Sequence, residues 1–181
     1  NGIEWIDVVA VNLYPFENTI SQDGVPPEDV IEQIDIGGPS MVRSAAKNHK
    51  DVTILTDPAD YASVLGMIEG EGVTLEVRRQ LAAKAFRHTA NYDGIISGWF
   101  GRVLDENAPD EGAVPFRQMQ TLRYGENPHQ SARFCIEPGL SGRSLGRVKQ
   151  LQGKHLSFNN LGDLDATLRA VFHFDESACV I

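Results

Sequence analysis

With 181 residues, 41% of them hydrophobic and 23% charged, the chain has the make-up of an ordinary globular protein and the length of one medium domain or parts of two. Its formal net charge of −9 leaves no basic face for nucleic acid, yet a few local cations and backbone N–H groups can still hold a phosphorylated small molecule. Apolar runs such as Val8–Val11 are too short to cross a bilayer, and the opening residues lack the basic and apolar regions of a signal peptide. Cys135 and Cys179 stand alone, with neither metal spacing nor a disulfide framework, so a reduced, cytoplasmic protein is expected. The first residue is not Met and both ends read as cut, which suggests an internal piece of a longer protein.

In chain order, the Val-rich run Ile6–Asn12 reads as a buried parallel strand ended by Tyr14–Pro15. Pro26–Pro27–Glu28 opens a short helix, with Pro27 in its first turn. A second helix is expected from near Pro39 to about Asn48, carrying Met41, Val42, Ala45 and Ala46 as apolar positions. Val52–Leu55 is another short strand, and Asp57–Pro58 caps a helix whose inner face is Tyr61, Val64, Leu65 and Ile68. From Thr74 to about Arg102 apolar residues recur at threes and fours, with Asp93–Gly94 a candidate break. Strands alternating with helices predict a parallel α/β layer architecture.

The acidic, polar stretch Asp105–Val114 marks the expected domain boundary, giving residues 1–112 and 113–181. Beyond it the sequence predicts a strand near Ala132–Ile136 and a Gly-rich stretch at Gly139–Gly146. A helix over about Asp163–Phe174 follows, with Leu164, Leu168, Val171 and Phe172 on its apolar face, and a strand at Ala178–Ile181.

Four features carry the residue types that do chemistry. The segment Leu122–Gln130 concentrates Arg123, Tyr124, Asn127 and His129 in a stretch with no helical or strand period, either a ligand loop or a solvated turn. Tyr14 falls just past the carboxyl end of the first strand, where open α/β sheets bind ligands, though a Tyr there can equally pack on the sheet rim. Asp35–Ile36–Gly37–Gly38–Pro39–Ser40 precedes a helix, and its glycines suit close approach of an anion or carbonyl, while Asp35 can also simply cap the helix. Arg43 and Lys47, spaced i,i+4, share a helix face: they either flank an anion or, for Lys47, meet the helix dipole in the last turn.

The segment Leu122–Arg123–Tyr124–Gly125–Glu126–Asn127–Pro128–His129–Gln130 resembles the start of the transformylase half of the bifunctional AICAR transformylase/IMP cyclohydrolase family of purine biosynthesis. Val11–Asn12–Leu13–Tyr14–Pro15–Phe16 and Ile34–Asp35–Ile36–Gly37–Gly38–Pro39–Ser40–Met41 resemble signature segments of its cyclohydrolase half. Leu151–Gln152–Gly153–Lys154 and Ser157–Phe158–Asn159–Asn160–Leu161 resemble a further transformylase segment. The motifs stand in the family's order along nearly the whole chain. Phe158 takes the place of a Tyr expected in many relatives, which touches no named role.

The resemblance implies a methylglyoxal-synthase-like cyclohydrolase part followed by the start of a cytidine-deaminase-like α/β transformylase domain. It implies formyl transfer from 10-formyltetrahydrofolate, as co-substrate, to AICAR, and then cyclisation of FAICAR to IMP with loss of water, without a metal. Carried over by motif, Asn12, Ile36, Gly37 and Arg43 would contact the nucleotide, and Tyr14, Asp35 and Lys47 would take part in cyclisation. Lys47 would be the proton donor and acceptor, a task that needs its charge destabilised by burial or by a neighbour such as Arg43. Arg123 and Tyr124 would bind the transformylase substrate, an Arg fork suiting its phosphate, and Asn127 and His129 would order the loop. A homodimer, with no membrane or nucleic-acid partner, is implied as well.

The chain stops before the family's catalytic Lys-His motif for formyl transfer, and Lys154–His155 is not that pair because no Asn-Pro-Cys-Gly follows. The cyclohydrolase's Ser/Thr/Gly-rich phosphate loop is also missing, so the piece alone is expected to be inactive. Two other classes compete. A regulatory nucleotide-binding module of methylglyoxal-synthase-like fold would lack the 122–130 motif. A ligand-free structural domain would leave Arg43, Lys47, Arg123 and Tyr124 facing unrelated directions.

Overall fold

A computed structural model describes residues 2, 4–105, 109–139 and 144–180. The chain forms two compact units, Asn1–Pro115 and Phe116–Ile181. The first is a mixed α/β unit with a small parallel sheet. Strand β1 (Val8–Ala10) pairs in parallel with β2 (Thr53–Leu55), Val8 opposite Thr53 and Ala10 opposite Leu55. Bonds from Thr53 N–H to Asp7 O and from Val11 N–H to Leu55 O extend the ladder at each end. β2 is buried throughout, as a Thr-Ile-Leu strand covered on both sides should be. β1 departs from the sequence expectation: Val9 and Val11 pack into the core, whereas Val8 is 40% exposed, so only one face is covered among the described residues.

Helix α1 (Phe16–Ile20), not anticipated from the sequence, follows Pro15 and buries Phe16. Helix α2 (Pro27–Ile31) starts at its proline as expected, because that position needs no N–H donor. Helix α3 (Gly37–Lys47) begins two residues before Pro39. A 3-10 turn (Pro58–Asp60) capped by the Asp57 side chain leads into α4 (Tyr61–Glu69). Of the expected inner face of α4 only Val64 is buried; Tyr61, Leu65 and Ile68 are exposed, since the remaining helices of this unit bury their apolar stripes on the sheet or on one another.

Helix α5 (Leu75–Val103) runs for 29 residues, about 43 Å at 1.5 Å per residue, from a Thr74 cap on the Val77 N–H. It does not break at Asp93–Gly94. A Cβ at Gly94 would lie 3.4 Å from the Pro115 ring and 3.5 Å from the Ala113 methyl, so the glycine lets residues 113–115 lie against the helix rather than ending it. The amino-terminal half of α5 sets Ala82 and Ala85 against Val42, Ala45 and Ala46 of α3 and Ile54 of β2. Its carboxyl-terminal half sets Tyr92, Ile95 and Trp99 around Phe16 and Val30, and Phe16 meets Tyr92 and Trp99 edge-on. Arg78 of α5 donates to the His49 and Lys50 carbonyls and so fixes the turn that joins α3 to β2.

The second unit pairs β3 (Arg117–Thr121), unanticipated, antiparallel to β4 (Arg133–Ile136), with an irregularity between Gln118 and Gln120. Helix α6 (Phe158–Val171) starts five residues earlier than expected. Its cap is a reciprocal box: Ser157 Oγ accepts from Asn160 N–H, and Asn160 Oδ1 accepts from Ser157 N–H. On its apolar face Leu164, Leu168 and Val171 are half-buried and Phe172 is exposed. The strand expected at Ala178–Ile181 is not formed at 178–180: an extended segment becomes a strand only on a paired edge, and no strand lies beside it among the described residues. Residue 181, residues 106–108 of the acidic stretch and residues 140–143 of the Gly-rich stretch lie outside the described residues. No described helix is long and apolar enough to cross a membrane.

Because the α3–α5 contact is built on alanines with almost no exposed surface, Ala85→Leu should overpack it. We expect a loss of about 1–3 kcal/mol, read as a lower urea midpoint; an unchanged midpoint would show that the helices separate freely.

Candidate functional site

The carboxyl ends of β1 and β2 carry the residues singled out near the start of the chain. Just past β1, Asn12 is exposed and its Oδ1 accepts a bond of 3.0 Å from the Tyr61 hydroxyl. Two residues on, the Tyr14 side chain is 55% exposed while its main chain is tied down. Its N–H donates to Asp35 Oδ2 at 3.3 Å, and its carbonyl accepts from Phe16 N–H at 2.8 Å. The other oxygen of Asp35 accepts from the Gly38 N–H at 2.7 Å. One half-buried carboxylate thus joins the segment after β1 to the start of α3. Asp35 braces the first turn of the helix, as the capping reading expects, and its second oxygen holds the Tyr14 main chain.

Gly38 is required by this arrangement, since a Cβ there would fall 2.4 Å from Asp35 Oδ2 and 2.7 Å from Leu13 Cδ2. Gly37 faces open space and Ile36 is exposed. The segment after β1 and the start of α3 thus carry a phenol, a carboxylate, an amide and glycine backbone close together along the chain's own bonds.

Arg43 and Lys47 are both exposed. The Arg43 guanidinium lies over the Phe86 ring, 5.7 Å from its centroid, which orients it along α5. Lys47 occupies the last turn of α3, about 15 Å along the axis from Gly37, and the chain's own packing does not desolvate it. The Tyr14 main chain and the Asp35 carboxylate meet in the structure, and Lys47 stands at the far end of α3 from them.

A charged cluster that the sequence reading did not single out lies where β2 passes into α4. Lys84 Nζ donates to Asp57 Oδ2 and to Asp60 Oδ2, each at 2.7 Å. The Lys84 bond, then the Ala59 N–H, hold the Asp57 carboxyl below its ordinary value. Burial works to lower the Lys84 pKa, but the bonds and charges of the two aspartates outweigh it and the net shift is upward. One turn along α5, half-buried His88 is pushed down by burial, with the Asp57 charge opposing and the Lys84 charge assisting, and its Nε2 is buried without a partner among the described residues. The i,i+4 spacing of Lys84 and His88 was visible in the sequence; their meeting with Asp57 depends on how α5 crosses β2.

In the second unit, residues 122–130 form a loop closed by Gln130. The Gln130 carbonyl accepts from Gly125 N–H at 2.8 Å, and its side chain accepts from Asn127 N–H at 2.8 Å. Gly125 is buried beneath Gln130, whose Cβ would be 2.9 Å from a Cβ at that position. The loop is hooked to the 156–160 segment: Arg123 N–H donates to Leu156 O, Phe158 N–H to Tyr124 O, and Arg123 Nη2 to Asn160 Oδ1 at 3.2 Å. Two motifs distant in sequence thus form one polar surface, on which the Arg123 guanidinium lies 5.3 Å from the Tyr124 ring centroid. Gln120 and His155 meet at 3.0 Å, and Lys154 contributes its carbonyl to the Gln150 amide.

These features define a mixed α/β protein with a small parallel sheet and polar side chains after β1 in its first unit, and an Arg-Tyr loop in its second. The model of the AICARFT/IMPCHase bienzyme family matches residues 45–181. Over 99% of its length the chain is 53% identical to the bifunctional purine biosynthesis protein PurH of Persephonella marina and 51% identical to that of Bacillus subtilis. The crystal structure of ForH is also similar, with a TM-score of 0.50 and 42% identity over 55% of this chain and 53% of that one. The chain belongs to the AICARFT/IMPCHase bienzyme family. It spans about a third of the length of these curated relatives, 36% and 35% of the two named. The family match itself takes in Lys47, Arg123 and Tyr124; Asn12, Tyr14, Asp35, Ile36, Gly37 and Arg43 precede it and fall within the whole-chain similarity.

The lowered His88 pKa gives a pH test. The fold disfavours the His88 cation, so below the ordinary value of 6.5 the unfolded chain binds more protons than the folded one. Stability contributed by neutral His88 is complete above that value and is lost as pH falls through the lowered folded value. Thermal midpoints of a His88→Leu variant should therefore fall less steeply than wild type between about pH 6.5 and pH 5. Parallel slopes would rule His88 out as a source of acid sensitivity.

Proposed function

We propose that the full-length protein carrying this chain performs the last two steps of IMP synthesis. A formyl group passes from 10-formyltetrahydrofolate to AICAR, and FAICAR then closes to IMP with loss of water. The observation that carries this reading is the pairing of two distinct polar sites with whole-chain similarity to PurH proteins: Asp35 joins Tyr14 to the α3 start in one unit, and Arg123–Tyr124 is held by the 156–160 segment in the other. We assign residues 1–112 to the cyclohydrolase part, of methylglyoxal-synthase-like fold, and residues 113–181 to the start of the cytidine-deaminase-like transformylase domain.

In cyclisation the carboxamide nitrogen of FAICAR, a poor nucleophile, attacks the formyl carbon. The formyl oxygen gains negative charge and leaves as water after protonation. The step needs donors at that oxygen and a group that moves protons. Asn12, Ile36, Gly37 and Arg43 hold the nucleotide in this reading. Tyr14 and Asp35 act at the reacting end, and Lys47 is the proton donor and acceptor. Asn12 meets the ligand through its exposed amide, whose Oδ1 is oriented by the bond from the Tyr61 hydroxyl. Lys47 would need its charge destabilised by Arg43, by bound substrate or by further parts of the protein.

In formyl transfer the Arg123 fork binds the AICAR phosphate and Tyr124 lies against the same ligand. The scheme uses no metal, and the partners are small nucleotides and folate. A cytoplasmic homodimer completes the proposal.

Lys47→Ala in the full-length protein should lower FAICAR cyclisation by about a hundredfold or more, followed by IMP absorbance, with formyl transfer in the same preparation as reference. Near wild-type turnover would reduce Lys47 to a helix-end cation and centre the site on Tyr14 and Asp35. Arg123→Ala should raise the AICAR requirement of formyl transfer by about ten- to a hundredfold, the worth of one charge-assisted contact, and leave cyclisation of supplied FAICAR intact. An unchanged AICAR requirement would remove Arg123 from that site.

A further inference from the structure

The Tyr92 hydroxyl does something that a core aromatic ring alone does not need. Tyr92 lies on α5 and is 7% exposed. A buried phenol needs partners, and this one has two, both on the turn before α3. It donates to the Gln33 carbonyl at 3.1 Å and accepts from the Asp35 N–H at 2.9 Å. Burial also pushes its pKa up, so the donor is kept.

From this anchored backbone the Asp35 side chain reaches Tyr14 N–H with one oxygen and Gly38 N–H with the other. The ring addresses the same segment from the other side, meeting Phe16 edge-on at 6.3 Å between centroids, and Phe16 N–H is bonded to the Tyr14 carbonyl. A rigid helix is thereby linked to Tyr14 through one carboxylate.

We propose that Tyr92 is a positioning residue for cyclisation, acting through Asp35 to place the Tyr14 main chain against the start of α3. It does not touch the ligand. Its ring serves the core and its hydroxyl serves the site, so Tyr92→Phe separates the two roles. This inference rests on the reading of Tyr14 and Asp35 as cyclisation residues.

The test uses the full-length protein with Tyr92→Phe beside Tyr14→Phe. Loss of both bonds of the buried hydroxyl at a geometry-sensitive site should lower the cyclisation kcat of Tyr92→Phe about tenfold, with the KM for FAICAR within about twofold and formyl transfer unchanged. Amide exchange should quicken at Asp35, whose N–H bonds to Tyr92, and at Tyr14 and Gly38, whose N–H groups bond to the Asp35 carboxylate. A wild-type kcat overturns the proposal, as does an equal loss of both activities, which would mark Tyr92 as core alone. The wild type gives a check independent of the variant: an Asp35 amide that exchanges as fast as an open loop overturns the bond itself. Full cyclisation by Tyr14→Phe would instead sink the reading beneath the proposal, and the proposal with it, whereas loss in Tyr14→Phe but not in Tyr92→Phe sinks the proposal alone.

Discussion

The close contact of α3 with α5 governs the first unit. Ala45 and Ala46 on one helix face Ala82 and Ala85 on the other, and residues this small bring the backbones together with Ile54 of β2 beneath them. That contact fixes where the amino-terminal end of α3 falls relative to the ends of β1 and β2. It also fixes where the second half of α5 presents Tyr92 and Trp99 to α1 and α2. One continuous helix thus serves two apolar clusters. The position of Asp35, lying between α2 and α3, follows from it, as does the charged group that Lys84 gathers from Asp57 and Asp60. A polar ligand edge can be made of exposed, individually weak side chains when the backbone that carries them is held this way.

Much of this was legible in the sequence where local chemistry decides the outcome. Pro27 marks a helix start because its ring presets the backbone and lacks an N–H. The 122–130 segment reads as a loop because nothing in it has a period, and the structure keeps it one. Tyr14 and Asp35 were singled out by their motifs, and they do meet. What failed depended on distant partners. Asp93–Gly94 looks like a break until residues 113–115 are seen lying on it. The apolar side of α4 looks like a core face, yet Leu65 and Ile68 are exposed, because no described element packs over them. β3, with the polar sequence Arg-Gln-Met-Gln-Thr, carries no strand pattern of its own and exists because β4 pairs with it. The start of α6 was missed because its box uses Asn160 where Glu or Gln is the usual signal.

The sites themselves were legible unequally. Residue types and their places in the chain singled out Tyr14, Asp35 and Arg123 as candidates, and the resemblance added Asn12, because functional groups are read directly from the sequence. The supporting residues left no such mark. Tyr92 is 57 residues from Asp35, and Lys84 is 27 from Asp57. Each reads locally as one more position on an amphipathic helix. Their roles are products of helix crossing, which period and composition do not encode.

Asn160 shows how a surface loop can be kept ready at small cost. Its Oδ1 receives the Ser157 N–H, the Ser157 hydroxyl and the Arg123 guanidinium, at 3.0 to 3.2 Å. The first two donors belong to the helix cap and remain when the third departs. Loss of the Arg123 bond would therefore leave the two bonds that cap the first turn of α6 in place. The 122–130 loop and the α6 cap thus share one acceptor atom, and the exposed bond to Arg123 is the member of the set that water can most readily replace.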